Sequence, residues 1–354
     1  MNSLDNQQQI KKLDTEKMAD FIAELPKQCL KAYHEANKIT LPADYKKPSS
    51  GWKNIVICGM GGSAIGGELA KNLTSEQIEI PILINRSWSL PASIDKESLV
   101  ILVSYSGETR ETLSCAEAAA NKKAKIFVIT SGGQLEKMAK KEKWPMFKFN
   151  YKAPPRASLA YLFMPILVIL EKLSLIDFKN WQIEKSLATL DKFNQTFYPE
   201  IPTEKNIAKH LAYYVFDHLP IIIAPDKLAA AARRFKTQIA ENAKNFVFFE
   251  TIPEIFHNSV ESFLPEYLKN DIVFLILEDG SGEQTKCVVA LQKLLDKEKI
   301  QWEKIPTFGN NLFMQVLSLT LVGDWLSFYL AMLNQINPTP VEKIQWLKTR
   351  ISAD

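Results

Sequence analysis

The most restrictive feature of the sequence is a short apolar run that ends in glycines and opens a helical segment. Residues 54–59 are nearly all apolar, as in strands that are buried on both faces of a parallel sheet. Gly61, Gly62 and Ser63 follow after one residue, Met60. Glycines let the backbone turn tightly and approach a ligand, and the exposed N–H groups at a helix start attract an anion. The segment therefore predicts a strand, an anion-binding loop and a helix.

Similar apolar runs recur along the chain and alternate with helix-like segments. The predicted strands of the first block are 54–59, 80–84, 99–103 and 125–130, with helices at 63–73, 109–122 and 134–141 between them. A second block has predicted strands at 219–224, 245–250, 271–277 and 301–305, with a helix over 227–244 after the first. Because strands that alternate with helices form parallel sheets, the pattern predicts an α/β fold.

The alternation also suggests how the chain divides into domains. We expect an N-terminal helical segment over residues 1–50, an α/β domain over 51–175, and a second α/β domain over 200–354 that ends in a helix. Each domain is expected to be a parallel β-sheet flanked by helices, a three-layer sandwich, with the active site in the cleft between the two. The strongly apolar residues 312–333 predict a buried helix, packed between the domains or against a partner chain.

Charge and composition exclude several function classes. The 43 basic and 40 acidic residues leave a net charge of +3, too small to imply nucleic acid or an anionic membrane as partner. The apolar residues 159–170 contain Pro165 and are too few to span a bilayer. The four cysteines form no C-x-x-C pair, and the four histidines show no metal-binding spacing. We therefore expect a soluble cytoplasmic protein without a metal site.

The predicted third strand ends in a second loop that is rich in hydroxyl groups. Ser104, Ser106 and Thr109 lie within six residues and precede a predicted helix. They are expected to converge at the carboxyl end of the strand, beside the positive end of the helix dipole. Such a loop suits a phosphate monoester, although a serine or threonine before a helix is also a common N-cap. Two such loops after neighbouring strands favour the phosphate site.

The glycine segment leaves a dinucleotide alternative open. Gly59, Gly61 and Ala64 fit the G-x-G-x-x-A pattern, but the acidic residue that binds ribose is missing, because Asn85 and Arg86 stand at the end of the second strand. An NADP-dependent enzyme that uses Arg86 is one alternative, and a purely structural turn is another. A sugar-phosphate cradle is favoured, since Ser63 adds a hydroxyl donor.

At these two loops the sequence resembles the sugar isomerase (SIS) superfamily, whose phosphate site is an S-x-S-G-x-T loop like that of residues 104–109. Further motifs resemble the branch of bifunctional phosphoglucose/phosphomannose isomerases. These motifs are 153–158 (APPRAS), 238–244 (QIAENAK), 255–258 (IFHN) and 338–348 (PTPVEKIQWLK). The resemblance extends from about residue 54 to the end and implies two SIS-like subdomains.

The resemblance also implies roles for particular residues. The positions that hold the sugar and its phosphate are Gly61, Gly62, Ser63, Ser104, Ser106 and Thr109. Arg156 matches the arginine beside the reacting carbons, and Glu241 matches the catalytic base. His257 and Lys348 match residues associated with ring opening, although Lys343, five residues earlier, could exchange with Lys348 through an alignment slip.

The chemistry of aldose–ketose isomerisation needs these residue types. One carboxylate must move a proton between C2 and C1 of a cis-enediol, which suits Glu241. A fixed cation must stabilise the developing oxyanion, which suits Arg156. A second acid/base group must move a proton between O5 and O1 to open the sugar ring, which suits the imidazole of His257. No metal or redox cofactor is required.

The resemblance implies metal-independent isomerisation of glucose 6-phosphate, mannose 6-phosphate or both to fructose 6-phosphate. It also implies a homodimer, and leaves open whether the partner contributes to the site. The substrate is a hexose 6-phosphate, and no nucleic acid or membrane partner is expected. The alternative from another class is a non-catalytic SIS module that senses a sugar phosphate. It would keep Ser104, Ser106 and Thr109 but would not need Glu241.

The departure from the family pattern is Glu108, where asparagine is often found, and we expect its carboxylate to point to solvent from the first turn of the helix.

Overall fold

The computed structural model of the protein describes residues 3–45, 51–177, 181–262, 265–278 and 283–353. The chain divides into two compact units. The first-sheet unit consists of Glu24–Asp191 and Gly309–Val316, and the second-sheet unit consists of Met1–Ala23, Lys192–Phe308 and Leu317–Asp354. The domain limits expected from the sequence stay a prediction, and the one at residue 50 lies outside the described residues.

Strands and helices alternate along both units. The strands are β1 Asn54–Cys58, β2 Ile82–Asn85, β3 Ser98–Ser104, β4 Lys125–Thr130, β5 Met146–Lys148, β6 Leu219–Pro225, β7 Phe248–Ile252, β8 Ile272–Glu278 and β9 Gln301–Pro306. The helices are α1 Gln7–Leu13, α2 Met18–Ala23, α3 Leu25–Asn37, α4 Gly61–Thr74, α5 Arg110–Asn121, α6 Gly133–Glu142, α7 Leu159–Lys172, α8 Ile183–Gln195, α9 Ile207–Val215, α10 Ala229–Gln238, α11 Glu283–Lys297, α12 Leu312–Leu333 and α13 Glu342–Ala353. Within the described residues, two parallel sheets result.

The first sheet has the strand order β2-β1-β3-β4-β5, with every pair parallel. Side chains alternate between its two faces, as they must in a strand. On one face Val56 and Val100 join a buried cluster with Ala116 of α5 and Leu135 of α6. The other face packs on α4, where a Cβ added to Gly67 would lie 2.7 Å from Ile57 Cγ2. Helices therefore cover both faces, and the predicted three-layer arrangement is confirmed.

The second sheet has the order β7-β6-β8-β9 and is also parallel throughout. On one face Ile223 and Ile276 pack against Leu291 of α11. Helix α10 connects β6 to β7 and contacts both strands. Because the two crossovers run in opposite directions from the middle of the sheet, right-handed connections place α10 and α11 on opposite faces. Helix α12 packs closely on α10, since a Cβ on Gly323 would lie 2.5 Å from the Phe235 ring.

The apolar helix predicted at 312–333 is α12, Leu312–Leu333. Among the described residues, α12 alone is long and apolar enough to cross a membrane by length and composition. The most apolar 18-residue stretch of this helix is completely buried inside the protein. The expectation of a buried helix is therefore confirmed. Since a single chain already covers this apolar window, its composition needs no partner chain to explain it, and the dimer stays a prediction.

The predicted strands differ from the observed ones mainly at their ends. Strand β2 begins at Ile82 rather than at residue 80, because Pro81 lacks the N–H that a ladder needs. Strand β7 begins at Phe248 rather than at residue 245. The preceding turn ends at Lys244, whose backbone is left-handed with a φ of 58°. The helix expected over 227–244 consists of a 3₁₀ turn, α10 and a π-helical turn, Ile239–Ala243.

Candidate active site

The hydroxyl-rich loops lie where the chain order of the first sheet reverses. Strand β1 has β2 on one side and β3 on the other, and in such sheets ligands bind at the carboxyl ends of the two strands at the reversal. The backbone there is tightly packed, because a Cβ added to Gly59 would lie 3.0 Å from the Val103 carbonyl oxygen. The loops after β1 and β3 are therefore adjacent, as the sequence predicts.

The loop after β1 presents backbone N–H groups from the first turn of α4. Met60 is the N-cap residue and has an extended backbone, and its side chain makes no capping hydrogen bond. Gly61 has a φ of 50°, a conformation that side-chain-bearing residues rarely adopt. Ser63 is buried and its N–H donates to the Met60 carbonyl at 3.0 Å. The helix start is thus open to an anion from the side of the exposed Gly61.

The loop after β3 is organised by its own hydroxyl groups. The Ser104 and Thr109 hydroxyls lie 2.9 Å apart, and Ser104 Oγ accepts from the Gly107 N–H at 3.0 Å. Ser106 Oγ accepts from the Glu108 N–H at 3.2 Å. Each of the two hydroxyls carries one proton. One of these protons forms the hydrogen bond between Ser104 and Thr109, and the other can be donated to a ligand. Thr109 is also the N-cap of α5, which adds the positive end of a helix dipole.

The expectation for Glu108 needs correction. Its residue is exposed, but it precedes the N-cap of α5 and does not lie in the first turn of that helix. The Glu108 carboxylate accepts from the Gln134 N–H of α6 at 2.9 Å. It therefore caps a neighbouring helix instead of pointing freely to solvent, because the unpaired N–H groups at the start of α6 attract a negative charge.

Arg156 lies in the same unit, in the 3₁₀ turn Pro155–Ser158 that leads into α7. Its residue is 3% exposed, so the guanidinium is held within the protein. Its backbone is adjacent to the first loop, because a Cβ added to Gly62 would lie 3.5 Å from the Arg156 Cα. The structure thus brings the turn that carries the predicted arginine to the predicted phosphate cradle.

Tyr105 is a further residue of this region that the sequence pattern did not single out. It lies between the two serines, and its hydroxyl donates to the Tyr151 carbonyl at 2.8 Å. The same hydroxyl accepts from the Ala153 N–H at 3.3 Å. Its position inside the S-x-S-G-x-T loop was visible in the sequence, but the partners are 46 and 48 residues away and only the fold reveals them.

Glu241 lies in the second-sheet unit, on the π-helical turn Ile239–Ala243 that follows α10. Such turns contain one extra residue per helical turn and often occur at functional sites. The Glu241 residue is partly exposed, whereas the neighbouring Asn242 is fully buried and donates to Ser327 Oγ of α12 at 2.9 Å. Asn334 donates to the Ala243 carbonyl at 2.9 Å. The turn is therefore held to α12 by Asn242 and to the residue that follows α12 by Asn334, while Glu241 stays partly exposed.

His257 follows the carboxyl end of β7 in the second sheet. Glu241 precedes β7 and so lies near the amino end of this strand, whereas His257 follows its carboxyl end in the 3₁₀ turn Glu254–His257. The five residues of β7 separate the two ends by about 13 Å at ~3.3 Å per residue. His257 is exposed. Along the chain, Glu241 and His257 therefore flank opposite ends of β7.

Lys348 lies on α13, all of whose described side chains are partly or fully exposed. The segment that leads into α13 is held at the Glu241 turn, because Lys244 Nζ donates to the carbonyls of Glu241 at 2.6 Å and of Pro338 at 3.0 Å. Lys343 is exposed on the same helix. Five residues separate the two lysines and rotate them by about 140° around the helix, so they face different directions.

The alternatives that sequence left open can be compared with these contacts. Arg86 Nη2 lies 3.0 Å from Glu68 Oε1 of α4, so the charge expected to bind an NADP phosphate is already neutralised by a carboxylate. Among the described residues, no three His, Cys, Asp or Glu side chains are grouped so that they could hold a metal ion. All four cysteines are free thiols.

Two family models match the sequence in the order of the two sheets. The SIS domain matches residues 50–143, and the bacterial phospho-glucose isomerase C-terminal SIS domain matches residues 204–351. The C-terminal domain of glucosamine-fructose-6-phosphate aminotransferase from Francisella tularensis is structurally similar, with a TM-score of 0.67, 14% identity, and coverage of 92% of this chain and 98% of that one. At this identity the likeness concerns the fold alone.

Curated relatives are similar over almost the whole chain. The bifunctional phosphoglucose/phosphomannose isomerase of Caldicellulosiruptor bescii is 36% identical over 341 residues, which cover 95% of this chain and 99% of the relative. The protein of the same name from Thermoplasma volcanium is 30% identical, over 85% of this chain and 92% of the relative. The protein therefore belongs to the family of bifunctional phosphoglucose/phosphomannose isomerases.

Proposed function

We propose that the protein interconverts glucose 6-phosphate and mannose 6-phosphate with fructose 6-phosphate through a cis-enediol, without a metal or redox cofactor. The two aldoses differ only at C2, which becomes planar in the intermediate, so one site can process both. The observation that carries the proposal is the glycine-rich loop with Ser63 after β1, which lies beside the hydroxyl-rich loop after β3. In a family of this name, such a cradle suits the phosphate of a hexose 6-phosphate.

The phosphate is held by the start of two helices. N–H groups of Gly61 and Gly62, the Ser63 and Ser106 hydroxyls, and one hydroxyl of the hydrogen-bonded Ser104–Thr109 pair supply donors. The dipoles of α4 and α5 favour the negative charge. Binding energy from this remote group positions C1 and C2 for the reaction. The nearby Arg156 then stabilises the charge that develops on O1 and O2, since a guanidinium stays protonated.

Glu241 is proposed as the base that removes the proton from C2 and returns it to C1. A single carboxylate can do both, because the two carbons are neighbours and the enediol is planar. The fixed backbone of the π-helical turn supports this role, since a base must be held within hydrogen-bond reach of the proton. Lys348 is proposed to assist ring opening, and Lys343 is the alternative on the same helix.

His257 is proposed to open the ring from a second copy of the chain. The ring oxygen and C1 are directly bonded, so the base and the ring-opening group must converge within a few ångströms. Glu241 and His257 of one copy lie at opposite ends of β7, which supports the view that the partner's His257 completes the site. Apolar side chains exposed on α13, such as Trp346 and Leu347, support a homodimer, because a single chain rarely leaves such groups uncovered. Substrates of this kind, and the free thiols, suit a cytoplasmic enzyme.

The first test replaces Glu241 by glutamine, which keeps the shape of the side chain and removes the base. In heavy water containing a chelator, the wild-type protein is expected to incorporate deuterium at C2 of the hexose phosphates, measured by NMR. The Glu241→Gln variant is expected to lose turnover and exchange by about a hundredfold or more, while its affinity for a hexitol 6-phosphate stays within about twofold. Substrate binding without any exchange in the wild-type protein would instead identify a sugar-phosphate sensor.

The second test uses hybrids of two inactive variants. Differently tagged Glu241→Gln and His257→Ala chains are co-expressed, and the mixed dimer is purified. If each site takes Glu241 from one copy and the partner's His257, the mixed dimer has one intact site of two and is expected to show about half the wild-type turnover of ring-form substrate. A mixed dimer no more active than its parents, or a monomer in sedimentation, would contradict the shared site.

A further inference from the structure

Tyr105 stands between two residues of the phosphate loop, and yet its hydroxyl group does not belong to that loop's own hydrogen bonds. It lies against the segment 151–153 instead. There it donates to the Tyr151 carbonyl at 2.8 Å and accepts from the Ala153 N–H at 3.3 Å. One phenol thus satisfies a backbone acceptor and a backbone donor that are two residues apart.

The segment that Tyr105 holds leads directly into the turn that carries Arg156. Ala153 is followed by two prolines, whose restricted φ angles stiffen the connection to Arg156. The Arg156 backbone then lies against Gly62 of the first loop. A displacement at Ala153 is therefore transmitted to Arg156 over three residues with little freedom to absorb it.

The other contacts of Tyr105 keep it in place. Its ring lies 5.8 Å from that of Phe149, which is buried. Its carbonyl accepts from the Ser131 N–H at 3.1 Å and from the Ser131 hydroxyl at 2.6 Å. Both ends of the residue are thus anchored to the rigid carboxyl edge of the first sheet, and the phenol can serve as a fixed reference for the 151–153 segment.

We propose that Tyr105 is a positioning residue, whose hydroxyl sets the location of Arg156 relative to the phosphate loop through the 151–153 segment. The proposal rests on the proposed function, because the Tyr105 hydroxyl would determine the distance between two groups of that site. These are the bound phosphate and Arg156, the cation that stabilises the enediolate. The hydroxyl does not touch the substrate. Its loss leaves two backbone groups without their partner and lets the Arg156 turn shift, which weakens stabilisation of the transition state more than binding of the ground state.

The chain offers a matched pair of variants. Tyr105→Phe removes the hydroxyl but keeps the ring that packs on Phe149. Tyr151→Phe removes a hydroxyl from the held segment itself, one that accepts from Gln28 Nε2 at 2.7 Å and donates to Glu24 Oε2 at 3.2 Å. Both variants lose one phenolic hydroxyl in the same region, but only the first breaks the connection to the phosphate loop.

The kinetic experiment measures kcat and KM for both variants, together with the affinities of two inhibitors. A five-carbon aldonate 5-phosphate carries a carboxylate that mimics the enediolate, and a hexitol 6-phosphate mimics only the open-chain substrate. For Tyr105→Phe we expect kcat and the aldonate affinity to fall by about tenfold each, with KM and the hexitol affinity within about twofold of wild type. Tyr151→Phe is expected to match wild type in all four.

Three results would overturn the proposal. The first is an unchanged kcat in Tyr105→Phe, whether or not KM rises. The second is equal losses of activity in both variants with equal losses of thermal stability, and the third is unchanged amide exchange in Tyr105→Phe. Amide hydrogen exchange separates the proposal from the proposed function. Peptides over 151–156 are expected to exchange faster in Tyr105→Phe than in wild type or Tyr151→Phe. If the wild-type protein has no isomerase activity, the proposed function fails, and equal exchange in all three proteins would overturn the positioning role as well.

Discussion

At the scale of single residues, the phosphate cradle depends on backbone conformations that few side chains tolerate. Gly107 has a φ of 68°, and a Cβ there would lie 1.9 Å from the Gly132 carbonyl oxygen. Its N–H can therefore reach Ser104 Oγ only because the residue is glycine. The S-x-S-G-x-T pattern thus reflects a steric requirement and a chemical one together: the glycine permits the turn, and the hydroxyls serve as donors.

Glu108 gives a prediction at this scale. The Glu108 carboxylate is hydrogen-bonded to the Gln134 N–H at the start of α6, so it does not repel the substrate's phosphate. Glu108→Gln is therefore expected to leave KM within about twofold of wild type. Glu108→Ala removes the acceptor of the Gln134 N–H and is expected to lower the free energy of unfolding by about 1 kcal/mol. Steady-state kinetics and urea unfolding measure the two effects.

The control is Glu111→Gln, which removes one negative charge from the first turn of α5. A KM that falls several-fold in Glu108→Gln but not in the control would mean that the Glu108 carboxylate faces the phosphate after all.

At the scale of elements, the position of Glu241 is determined by how α10 packs on α12. Arg234 and Asp324 form a buried ion pair between these helices, with Nε to Oδ1 at 3.0 Å and Nη2 to Oδ2 at 2.8 Å. Asn242 holds the following π-helical turn to α12, and Asn334, the first residue after α12, holds the same turn. Helix α12 is thus the support on which the proposed base is placed.

The ion pair can be tested by a double-mutant cycle. Arg234→Met leaves the Asp324 carboxylate buried without its main partner, and it is expected to lower the free energy of unfolding by about 3–4 kcal/mol. Replacing both residues, by Met and Leu, is expected to recover most of that loss, since no charge then stays buried. Urea unfolding of the two single variants and the double variant gives the coupling energy, and a loss below ~1 kcal/mol in Arg234→Met would contradict the argument.

At the scale of the whole molecule, residues that are far apart in sequence close the second-sheet unit. Lys209 is fully buried, and its Nζ donates to Asp5 Oδ1 at 2.9 Å and to the carbonyls of Pro199 and Ile201 at 2.8 Å each. Three acceptors match the three N–H bonds of an ammonium group. Although burial lowers the pKa of Lys209, this geometry requires the protonated form at neutral pH.

The Asp5 carboxyl makes the stability of this contact depend on pH. Burial alone would raise its pKa, but hydrogen bonds from Lys209 and Thr203 outweigh that effect and hold the pKa below its usual range. A depressed pKa in the folded state stabilises the protein above the unfolded pKa of ~4, and the contribution is lost as the pH falls through the folded value. Asp5→Asn is therefore expected to cost about 1–2 kcal/mol at pH 7. The difference from wild type should shrink as the pH falls below the unfolded pKa of ~4.

Urea unfolding at several pH values measures this difference, with Asp20→Asn, an exposed carboxylate on α2, as the control. The same deficit at pH 3 and pH 7 would show that the Asp5→Asn substitution disturbs packing rather than removing a charge.

Apolar runs and glycines alone were enough to predict the α/β fold, the strand cores, the two loops and the buried α12. These features depend on local patterns: a buried strand must be apolar along its length, and a turn with positive φ needs glycine. Strand β5, helix α9 and helix α11 were missed, because three residues are too few for a pattern in β5 and the two helices lie between stronger signals. The roles assigned to Glu241, His257, Arg156 and Lys348 stay predictions.

Tertiary structure decided what the sequence could not, namely which distant groups meet. The local pattern around Glu108 does not reveal that its carboxylate caps α6, and that around Tyr105 does not reveal that its hydroxyl holds 151–153. Glu241 and His257 are only 16 positions apart in sequence, yet β7 lies between them. Glu241 precedes the amino end of this strand, and His257 follows its carboxyl end. The number of residues between two positions limits the distance that can separate them. The directions of the strands and helices between them determine whether their side chains meet.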